Sequence, residues 1–522
     1  MLRKVRITLA TLFFIGLSLL FLDFTGTAHQ WLSWMAKVQA LEAVLALNAA
    51  VIVVLAVLTL LFGRIYCSVI CPLGVMQDIF GWMGKKVKKN RYTYSKALPW
   101  LRYGVLGLFV VAIIAHVGLL VQLLAPYSAF GRIMTMLLQP LWQLANNVLA
   151  AMAERMDSYA FYTVDVWMKS MPVIVIAVLT LVVLAILAWR GGRTYCNTIC
   201  PVGTALSLLA RFSWLKIGFD KDKCRNCSLC TKQCKASCID YKTHSVDYSR
   251  CVVCGDCIEA CKFGALSYGG NRSPQSSQSS QSPQSSQSSQ SSQSPRSPQS
   301  PQNNQNNQSH SITDTSKRSF LLATAMAATA VMAQKKEKLM DGGFTDLEDK
   351  VAPERQTPLT PPGSLSAQNM ASRCTGCQLC VSECPNGVLR PSTDLMHIMQ
   401  PTMGYERGHC RPECNRCSQV CPAGAIRPVD LEEKSSIQIG HAVWLKKNCV
   451  TITDGVECGN CARHCPAGAI EMVPLDMQDD KSPMVPAVND AACIGCGACE
   501  YVCPSRPYPA IYVEGHEVHK II

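Results

Sequence analysis

The sequence predicts a multidomain protein, in which an α-helical polytopic membrane domain with four spans precedes two small α+β domains. Three observations lead to this prediction. Four apolar segments, each close to the ~20 residues needed to cross a membrane, lie before residue 190. The 29 cysteines fall mostly into tight runs, and a polar tract separates two groups of these runs. The predicted organisation is a membrane domain (1–218), a first cysteine-rich domain (219–270), a disordered linker (271–316), a leader-like or short apolar segment (317–334), a connecting segment (335–372) and a second cysteine-rich domain (373–522).

The predicted spans cover residues 7–22, 41–62, 103–124 and 172–189. Basic residues crowd the N-terminus, the loop between the second and third spans, and the segment after the fourth span. By the positive-inside rule these parts are cytoplasmic, and so is the first cysteine-rich domain. The net charge of +13 therefore reflects membrane topology, and nucleic-acid binding is not expected.

The first cysteine-rich domain, called here the two-run domain, carries two tandem runs with the spacing of bacterial ferredoxins. In that pattern the last cysteine of each run binds the neighbouring cluster. One [4Fe–4S] cluster is therefore assigned to Cys224, Cys227, Cys230 and Cys261, and the other to Cys251, Cys254, Cys257 and Cys234. Zinc or disulfides are the alternatives, but zinc usually takes two separated cysteine pairs. Because Lys235, and not proline, follows Cys234, the nearby Cys238 is a second candidate for the remote ligand.

A repeat inside the membrane domain has the frame G-R-x-Y-C-x-x-I-C-P-x-G. It places Cys67 and Cys71 after the second span, and Cys196 and Cys200 after the fourth. Both pairs are expected at the cytoplasmic face, where four thiols could bind a metal, cycle as dithiols or serve only as structural thiols. His116, within the third predicted span, is a candidate contact for a quinone head group, with an interhelical hydrogen bond as the alternative.

The second cysteine-rich domain, called here the four-run domain, contains four further runs that each end in Cys-Pro. Their spacing predicts four more [4Fe–4S] clusters, and so six in the whole chain. The domain has no glycine-rich phosphate loop and no haem motif, so electron transfer without substrate chemistry is expected. The ligands would be Cys374, Cys377, Cys380, Cys384, Cys410, Cys414, Cys417, Cys421, Cys449, Cys458, Cys461, Cys465, Cys493, Cys496, Cys499 and Cys503.

The linker at 271–316 is rich in serine, glutamine, proline and asparagine, a composition that cannot build a core. The following segment, 317–334, is similar to a twin-arginine export leader, with Lys317 in place of the first arginine. An export leader would place the four-run domain in the periplasm. A degenerate leader would leave it in the cytoplasm.

Two family resemblances cover nearly everything except the linker. Residues 2–268, with four spans, two Cys-x3-Cys-Pro motifs and a two-cluster ferredoxin, resemble the NapH-type membrane ferredoxins of periplasmic nitrate reduction. Residues 315–522, with a leader and four cluster runs, resemble the NapG/MauM-type ferredoxins. The chain thus looks like a fusion of two partners, and both cysteine-rich domains are expected to be ferredoxin-like. If the four-run domain resembles other four-cluster subunits, runs one and four exchange their last cysteines, as do runs two and three.

The resemblance implies a multi-pass protein of the inner membrane that takes electrons from the quinol pool and passes them to a terminal reductase or a small electron carrier, as in a periplasmic nitrate reductase-like system. The alternatives are a maturation or redox-regulatory protein that assists another enzyme's cofactor assembly, and a subunit of a cytoplasmic ferredoxin-linked complex. With the Cys-x3-Cys thiols placed at the cytoplasmic face, no predicted group bridges the two ferredoxin-like domains.

Overall fold

The computed structural model describes residues 2–23, 25–88, 92–270, 340–341, 345–346, 348–479 and 482–522. The described residues up to 270 and from 350 onward belong to one compact unit, which contains the membrane domain and both cysteine-rich domains. The predicted linker and leader lie outside the described residues. In the predicted connecting segment, two short strands, β5 (Met340–Asp341) and β6 (Thr345–Asp346), pair with each other.

Up to residue 210 the regular elements of the membrane domain are helices, joined by loops of which the longer described ones cover residues 92–98 and 155–170. A π-helical turn, Met134–Leu138, joins its ninth and tenth helices. The helices are α1 (Leu2–Leu22), α2 (Thr27–Lys37), α3 (Ala40–Leu45), α4 (Ala49–Phe62), α5 (Tyr66–Val69), α6 (Pro72–Lys88), α7 (Pro99–Ile114), α8 (Gly118–Leu124), α9 (Pro126–Ile133), α10 (Gln139–Glu154), α11 (Met171–Gly191), α12 (Thr194–Thr198) and α13 (Pro201–Ala210).

Helices α1 and α11 are each long and apolar enough to cross a membrane, whereas the second and third predicted spans are not continuous helices. Leu47, with φ 55°, separates α3 from α4, and His116, also with φ 55°, separates α7 from α8. Residues in this left-handed conformation interrupt a right-handed helix. The apolar helices that remain, α4 and α7, have 14 and 16 residues.

Helices α1, α4, α7 and α11 alternate in direction, and the two-run domain contacts the same end of all four. It meets the N-terminal ends of α1 and α7 and the C-terminal ends of α4 and α11. The contacts include Arg3 with Asp256 (3.0 Å), the Tyr268 hydroxyl with the Phe62 carbonyl (3.0 Å), Arg102 with the Ser249 hydroxyl (3.1 Å), and the Arg193 amide with the Lys235 carbonyl (2.8 Å).

The four-run domain contacts the opposite ends of these helices and the segments that join them there. Gly131 of α9 lies so close to the carbonyl of Cys377 that a Cβ atom would collide with it. Other contacts are His29 with Glu383 (2.6 Å), the Ser128 hydroxyl with the Thr375 carbonyl (2.5 Å), Gln139 with the Ser382 carbonyl (3.3 Å), and Lys169 with the Val381 carbonyl (3.4 Å).

Both cysteine-rich domains consist of short helices and paired antiparallel strands. The two-run domain contains β1 (Leu215–Phe219), α14 (Leu229–Gln233), β2 (Ile239–Asp240), β3 (Ser245–Val246), α15 (Asp256–Ala260) and β4 (Leu266–Gly270), with β1 paired to β4 and β2 to β3. The four-run domain contains α16 (Ala367–Arg373), α17 (Leu379–Glu383), β7 (Leu389–Pro391), β8 (Pro401–Met403), α18 (Arg416–Val420), α19 (Leu431–Ser436), β9 (Ile437–Trp444), α20 (Val450–Thr453), α21 (Asn460–Arg463), β10 (Ile470–Pro474), β11 (Met484–Val488), α22 (Ala498–Val502) and β12 (Ile511–Ile521). Strands β7 and β8, β9 and β12, and β10 and β11 form the pairs of this domain.

Residues 350–372, the second part of the connecting segment, pack onto the four-run domain. Arg355 forms a buried ion pair with Glu500 at 2.6 Å. The ammonium group of Lys350 donates to the carbonyl oxygen of Cys503 at 2.9 Å. The segment therefore holds the last cysteine of the fourth run in place.

Candidate iron–sulfur centres

Each cysteine run has the same local structure. The third cysteine lies within a short helix, as Cys230 does in α14 and Cys257 does in α15. The fourth cysteine follows that helix at or next to its C-cap, and Cys234 and Cys261 both have extended backbones there. This change of direction carries the fourth sulfur away from its own run, which is why it can reach the neighbouring cluster.

In the two-run domain the predicted ligands come together as assigned. Cys224, Cys227, Cys230 and Cys261 line one small cavity. Cys257 interacts electrostatically with Cys254, Cys251 and Cys234. The remote cysteine of each run thus lies with the first three cysteines of the other run.

The second candidate for the remote ligand, Cys238, is fully buried beside Cys234, with 3.6 Å between their sulfurs. Cys254 and Cys257 both interact with Cys234, and Cys238 is not among their main electrostatic partners. Cys238 in turn interacts with Cys234 and with Cys251 of the same set, so both thiols lie at this site, and it is the standard spacing of the run that favours Cys234.

The four-run domain pairs its runs differently from the expectation. Cys384 of run one lines a cavity with the first three cysteines of run two, and Cys465 of run three does the same with those of run four. In return, Cys421 interacts with the cysteines of run one, and Cys503 interacts with Cys461. The expected exchange between runs one and four and between runs two and three is therefore wrong, because each run exchanges its last cysteine with its neighbour in sequence. The resulting groups are Cys374, Cys377, Cys380 and Cys421; Cys410, Cys414, Cys417 and Cys384; Cys493, Cys496, Cys499 and Cys465; and Cys458, Cys461 and Cys503, to which the spacing of run three adds Cys449.

Backbone amides donate to the sulfurs of several remote cysteines. Ala265 donates to Cys261 at 3.3 Å, and Ala469 donates to Cys465 at 3.2 Å. Hydrogen bonds to ligand sulfurs tune the reduction potential of an iron–sulfur cluster. At these positions the chain after the fourth cysteine therefore acts on the electronic properties of the site as well as on its shape.

The two Cys-x3-Cys pairs meet in the interior and form one group, called here the four-thiol group. All four side chains are 4% exposed. Burial raises the pKa of Cys200 most, and Cys196, Cys71 and Cys67 raise it further. Cys71 interacts with Cys196 and Cys67, and Cys196 interacts with Cys67, so every pair within the group interacts.

The repeated arginine and glycine explain how this group is assembled. Arg64 donates to the carbonyl of Cys196 at 3.1 Å, and Arg193 donates to the carbonyl of Cys67. A Cβ atom at Gly74 would collide with the Cys67 carbonyl, and one at Gly203 would approach the Cys196 carbonyl and Arg64. Each arginine therefore binds the cysteine loop of the other repeat, and the glycine beside that loop leaves room for the guanidinium group.

The charge of Arg64 has no carboxylate counterpart among the described residues. Its side chain is fully buried, and it donates to Asn197, to the Ser249 and Cys196 carbonyls, and to the sulfur of Cys67 at 3.8 Å. Arg193, in contrast, is paired with Asp78 at 2.7 Å. An unpaired buried cation is costly, so negative charge on the four-thiol group would stabilise Arg64.

The four-thiol group lies between the two cysteine-rich domains, which corrects the expectation that it cannot bridge them. On one side, Asn197 donates to the Ala236 carbonyl of the two-run domain at 3.1 Å. On the other side, Tyr195 interacts with both Cys200 and Arg132, and Arg132 interacts with Cys377. The short helices α5 and α12, which follow α4 and α11, place the thiols in the interior. A hydropathy pattern does not predict this position.

His116 does not support the expected quinone contact. It is exposed in the turn between α7 and α8, and it is not among the residues that line the large cavity beside α1 and α6.

Among the described residues, no group of three or more histidine, cysteine, aspartate or glutamate side chains is arranged to hold a single metal ion. In three of the sets, four cysteines line one small cavity, and four is the number of ligands that a [4Fe–4S] cluster requires. The donor sets therefore fit clusters better than mononuclear zinc.

Comparison with known proteins agrees with this chemistry. A family model described as a 4Fe-4S binding domain matches residues 45–90 and 170–220, which enclose the two Cys-x3-Cys motifs. A second model of the same description matches residues 244–267 and 369–390, and a 4Fe-4S dicluster domain model matches residues 456–506. No solved structure matches the chain at a significant level.

Several curated relatives cover parts of the chain. The methylamine utilization ferredoxin-type protein MauM of Paracoccus denitrificans is 31% identical over 173 residues, which are 31% of this chain and 75% of MauM. The ferredoxin-type protein NapH of Haemophilus influenzae is 25% identical over 42% of this chain and 66% of NapH. The putative electron transport protein YccM of Escherichia coli is 24% identical over 42% of this chain and 55% of YccM.

Fold, cysteine sets and matches together define an iron–sulfur electron-transfer protein of the ferredoxin type. Within that class the chain belongs to the MauM family, and as a whole it is a NapH/MauM-type polyferredoxin. This confirms the family resemblance and the electron-transfer function that were predicted from the sequence. The chain spans just under two thirds of NapH and about half of YccM.

Proposed function

We propose that this protein carries electrons from the quinol pool to a terminal reductase or small electron carrier on the other side of the membrane. The observation that carries the proposal is the position of the four-thiol group between two sets of cluster ligands in one compact unit. A [4Fe–4S] cluster accepts and donates one electron at a time. The contribution of the chain is to hold six such clusters in two groups, one on each side of the four-thiol group.

Within each cysteine-rich domain the ligand sets adjoin one another in a fixed order. The series begins at Cys227, which is exposed in the two-run domain, and ends at the set that contains Cys458, which is partly exposed in the four-run domain. Neighbouring sets interact electrostatically at Cys230 with Cys257, Cys380 with Cys417, Cys410 with Cys496, and Cys461 with Cys499. Partners would exchange electrons at the two exposed ends.

The four-thiol group is proposed to hold a seventh [4Fe–4S] cluster. The unpaired charge of Arg64 beside the group and the match of a 4Fe-4S binding model to both motifs support a metal centre over a dithiol. The iron content separates these alternatives. Seven clusters give about 28 iron atoms per chain and six give about 24, since each contains four. A value that stays near 24 and does not fall in Cys67→Ser would refute the seventh cluster.

The membrane arrangement is part of the proposal. Helices α1, α4, α7 and α11 would serve as the four spans, with α3 and α8 extending the two shorter ones. Their exposed faces are apolar, for example at Leu12 (58%), Val53 (60%), Val111 (60%) and Leu179 (58%). Exposed apolar surface of this kind is typical of contact with lipid.

Because the cysteine-rich domains contact opposite ends of these helices, a cytoplasmic two-run domain implies a periplasmic four-run domain. Protease treatment of intact cells without their outer membrane tests this. Cleavage of the four-run domain is expected, and complete protection until the inner membrane is lysed would contradict it.

The decisive experiment for function is electron paramagnetic resonance (EPR) of anaerobically prepared membranes titrated with menaquinol. Reduction of clusters in both cysteine-rich domains is the expected result. If dithionite reduces the clusters and menaquinol does not, quinol oxidation is excluded, and the maturation or redox-regulatory role becomes the better reading.

A further inference from the structure

A fifth thiol lies at one of the cluster sites of the two-run domain. The set of Cys251, Cys254, Cys257 and Cys234 already supplies the four ligands that a [4Fe–4S] cluster takes. Cys238 lies beside this set, with its sulfur 3.6 Å from that of Cys234, and it also interacts with Cys251. The site therefore contains one thiol more than the cluster needs.

A tight turn brings the sulfurs of Cys234 and Cys238 together. The amide of Ser237 donates to the carbonyl oxygen of Cys234 at 2.9 Å, which closes the turn. Ser237 has a left-handed backbone (φ 51°), so the chain changes direction there. The amide of Asp247 donates to the carbonyl oxygen of Cys238 at 2.9 Å. The two cysteines are thus fixed at the ends of one short loop, called here the 234–238 loop, and both are buried.

The membrane domain holds the middle of the 234–238 loop. The Arg193 amide donates to the Lys235 carbonyl at 2.8 Å, and Asn197 donates to the Ala236 carbonyl at 3.1 Å. The ammonium group of Lys235 pairs with Asp78 at 2.8 Å. Because the loop is held at its middle and at both ends, a change of ligand from one thiol to the other involves the side chains alone.

The other remote cysteine of this domain has a different neighbour. Cys261 occupies the equivalent position in the second run, and the fourth residue after it is Ala265. Ala265 donates its backbone N–H to the sulfur of Cys261 at 3.3 Å, but its methyl side chain cannot bind iron. The fourth residue after Cys234 is Cys238, whose thiolate can bind a metal. A buried cysteine often serves only as a small apolar residue, and Cys261 offers the comparison that separates the two roles.

We propose that Cys234 and Cys238 both serve as the fourth ligand of this cluster, one at a time. In the ligand exchange, the sulfur of Cys238 forms a bond to iron and gives its proton to the sulfur of Cys234, whose own bond to iron breaks. One bond forms, one bond breaks and the proton stays within the pair, so no oxidant or reductant is needed. The attachment thereby moves from one end of the 234–238 loop to the other. The inference goes beyond the proposed function and does not depend on the electron donor or acceptor.

The iron content of the full-length holoprotein, purified anaerobically, tests the proposal. Cys234→Ala and Cys238→Ala are each expected to keep the iron content of the unsubstituted chain, because the remaining thiol binds. The double variant is expected to lose about four iron atoms, the content of one cluster. Cys261→Ala is the matched control and is expected to lose about four iron atoms on its own, since alanine follows at the fourth position.

Loss of the cluster in either single variant overturns the proposal, and so does full iron content in the double variant. An EPR signal of a [3Fe–4S] cluster in oxidised Cys234→Ala also overturns it, because one iron has then lost its ligand and Cys238 has not replaced it. The clusters of the four-run domain remain in every correctly folded variant and serve as the internal standard.

EPR of the dithionite-reduced protein gives a second test that needs no change at Cys234. Two forms of ligation predict two components in the signal of this cluster, and Cys238→Ala should leave one of them. A single component in the unsubstituted chain, whether or not Cys238→Ala shifts it, overturns the exchange and makes Cys238 a neighbour of the ligand only. Dithionite reduces the clusters directly, so these results stay valid if menaquinol fails to reduce the protein and the proposed function is wrong.

Discussion

The guanidinium of Arg64 bonds the carbonyl oxygen of Cys196 at 3.1 Å, across 132 positions of the sequence. The reciprocal bond runs from Arg193 to the carbonyl of Cys67. The two repeats therefore complete each other, and each buried arginine brings positive charge to the thiols. Of these two arginines, Arg193 has a carboxylate partner, and Arg64 has none among the described residues.

Replacing Arg64 tests whether its charge supports a metal centre. In Arg64→Gln the four-thiol group loses a hydrogen-bond donor and the cation beside it. We expect about four iron atoms per chain to be lost, the content of one cluster, while the other cysteine sets keep theirs. Iron analysis with EPR measures this. Arg211→Gln is the control, since Arg211 is exposed and donates to the Tyr103 hydroxyl. Equal iron content in the two variants would contradict the role given to Arg64.

Gly74 and Gly203 should not tolerate a side chain. Alanine at either position meets the Cys67 or the Cys196 carbonyl and an arginine of the other repeat. We expect Gly74→Ala and Gly203→Ala each to lower the free energy of unfolding by about 1–3 kcal/mol or more, the cost of overpacking. Thermal unfolding in detergent measures the change. Gly104→Ala on α7 is the matched control, because no atom lies within 4 Å of its added Cβ, and it should be neutral or stabilising.

The exchange of cysteines between neighbouring runs predicts an iron count for double variants. Cys377→Ser with Cys421→Ser removes two ligands of one set, so about four iron atoms should be lost. Cys377→Ser with Cys384→Ser affects two sets, so about eight should be lost. If the first double variant instead lost about eight iron atoms and the second about four, each run would bind its own cluster. If the double variant Cys377→Ser with Cys503→Ser lost only about four iron atoms, runs one and four would be the pair that exchanges last cysteines.

The pairing of β9 with β12 should weaken in acid. Burial, together with the smaller effect of the nearby His516, lowers the pKa of His519 from 6.5 to about 4. As the pH falls, a histidine whose pKa is lowered by folding takes up its proton at a higher pH in the unfolded chain than in the folded chain. The stability it contributes is therefore present above pH 6.5 and is lost as the pH falls toward 4.

Hydrogen exchange in β9 and β12 between these two pH values measures the effect. His519→Gln should flatten the pH dependence, whereas His397→Gln, in the loop before β8, should retain it. A similar acid response in the unsubstituted chain and in His519→Gln would assign the effect to other groups.

The cluster ligands could be predicted because their spacing is local, and three thiolates within seven residues, as at Cys224–Cys230, have few other uses. The run that supplies the remote cysteine of each set in the four-run domain could not be predicted. Whether Cys384 reaches run two or run four depends on how the strands between the runs pair. Spacing carries no information on that pairing.

The membrane domain was predictable in composition and less so in geometry. Hydropathy located four apolar segments but could not register the positive φ of Leu47 and His116, which break two of the helices. Gln77 and Asp78 gave no sequence signal, because polar residues on an amphipathic helix such as α6 usually face water. Only the packing of α1 and Lys235 around them makes a cavity.

The crossed arrangement of the two repeats has a consequence for assembly. During synthesis the first repeat emerges with two cysteines and one arginine, and this half-site cannot close until residue 203 has been made and α11 has been inserted. Any metal acquired by the four-thiol group must therefore arrive after both halves have met. A polypeptide with a single repeat could build the same site only by pairing with a second copy of itself, so the duplicated membrane domain has the symmetry of a dimer within one chain.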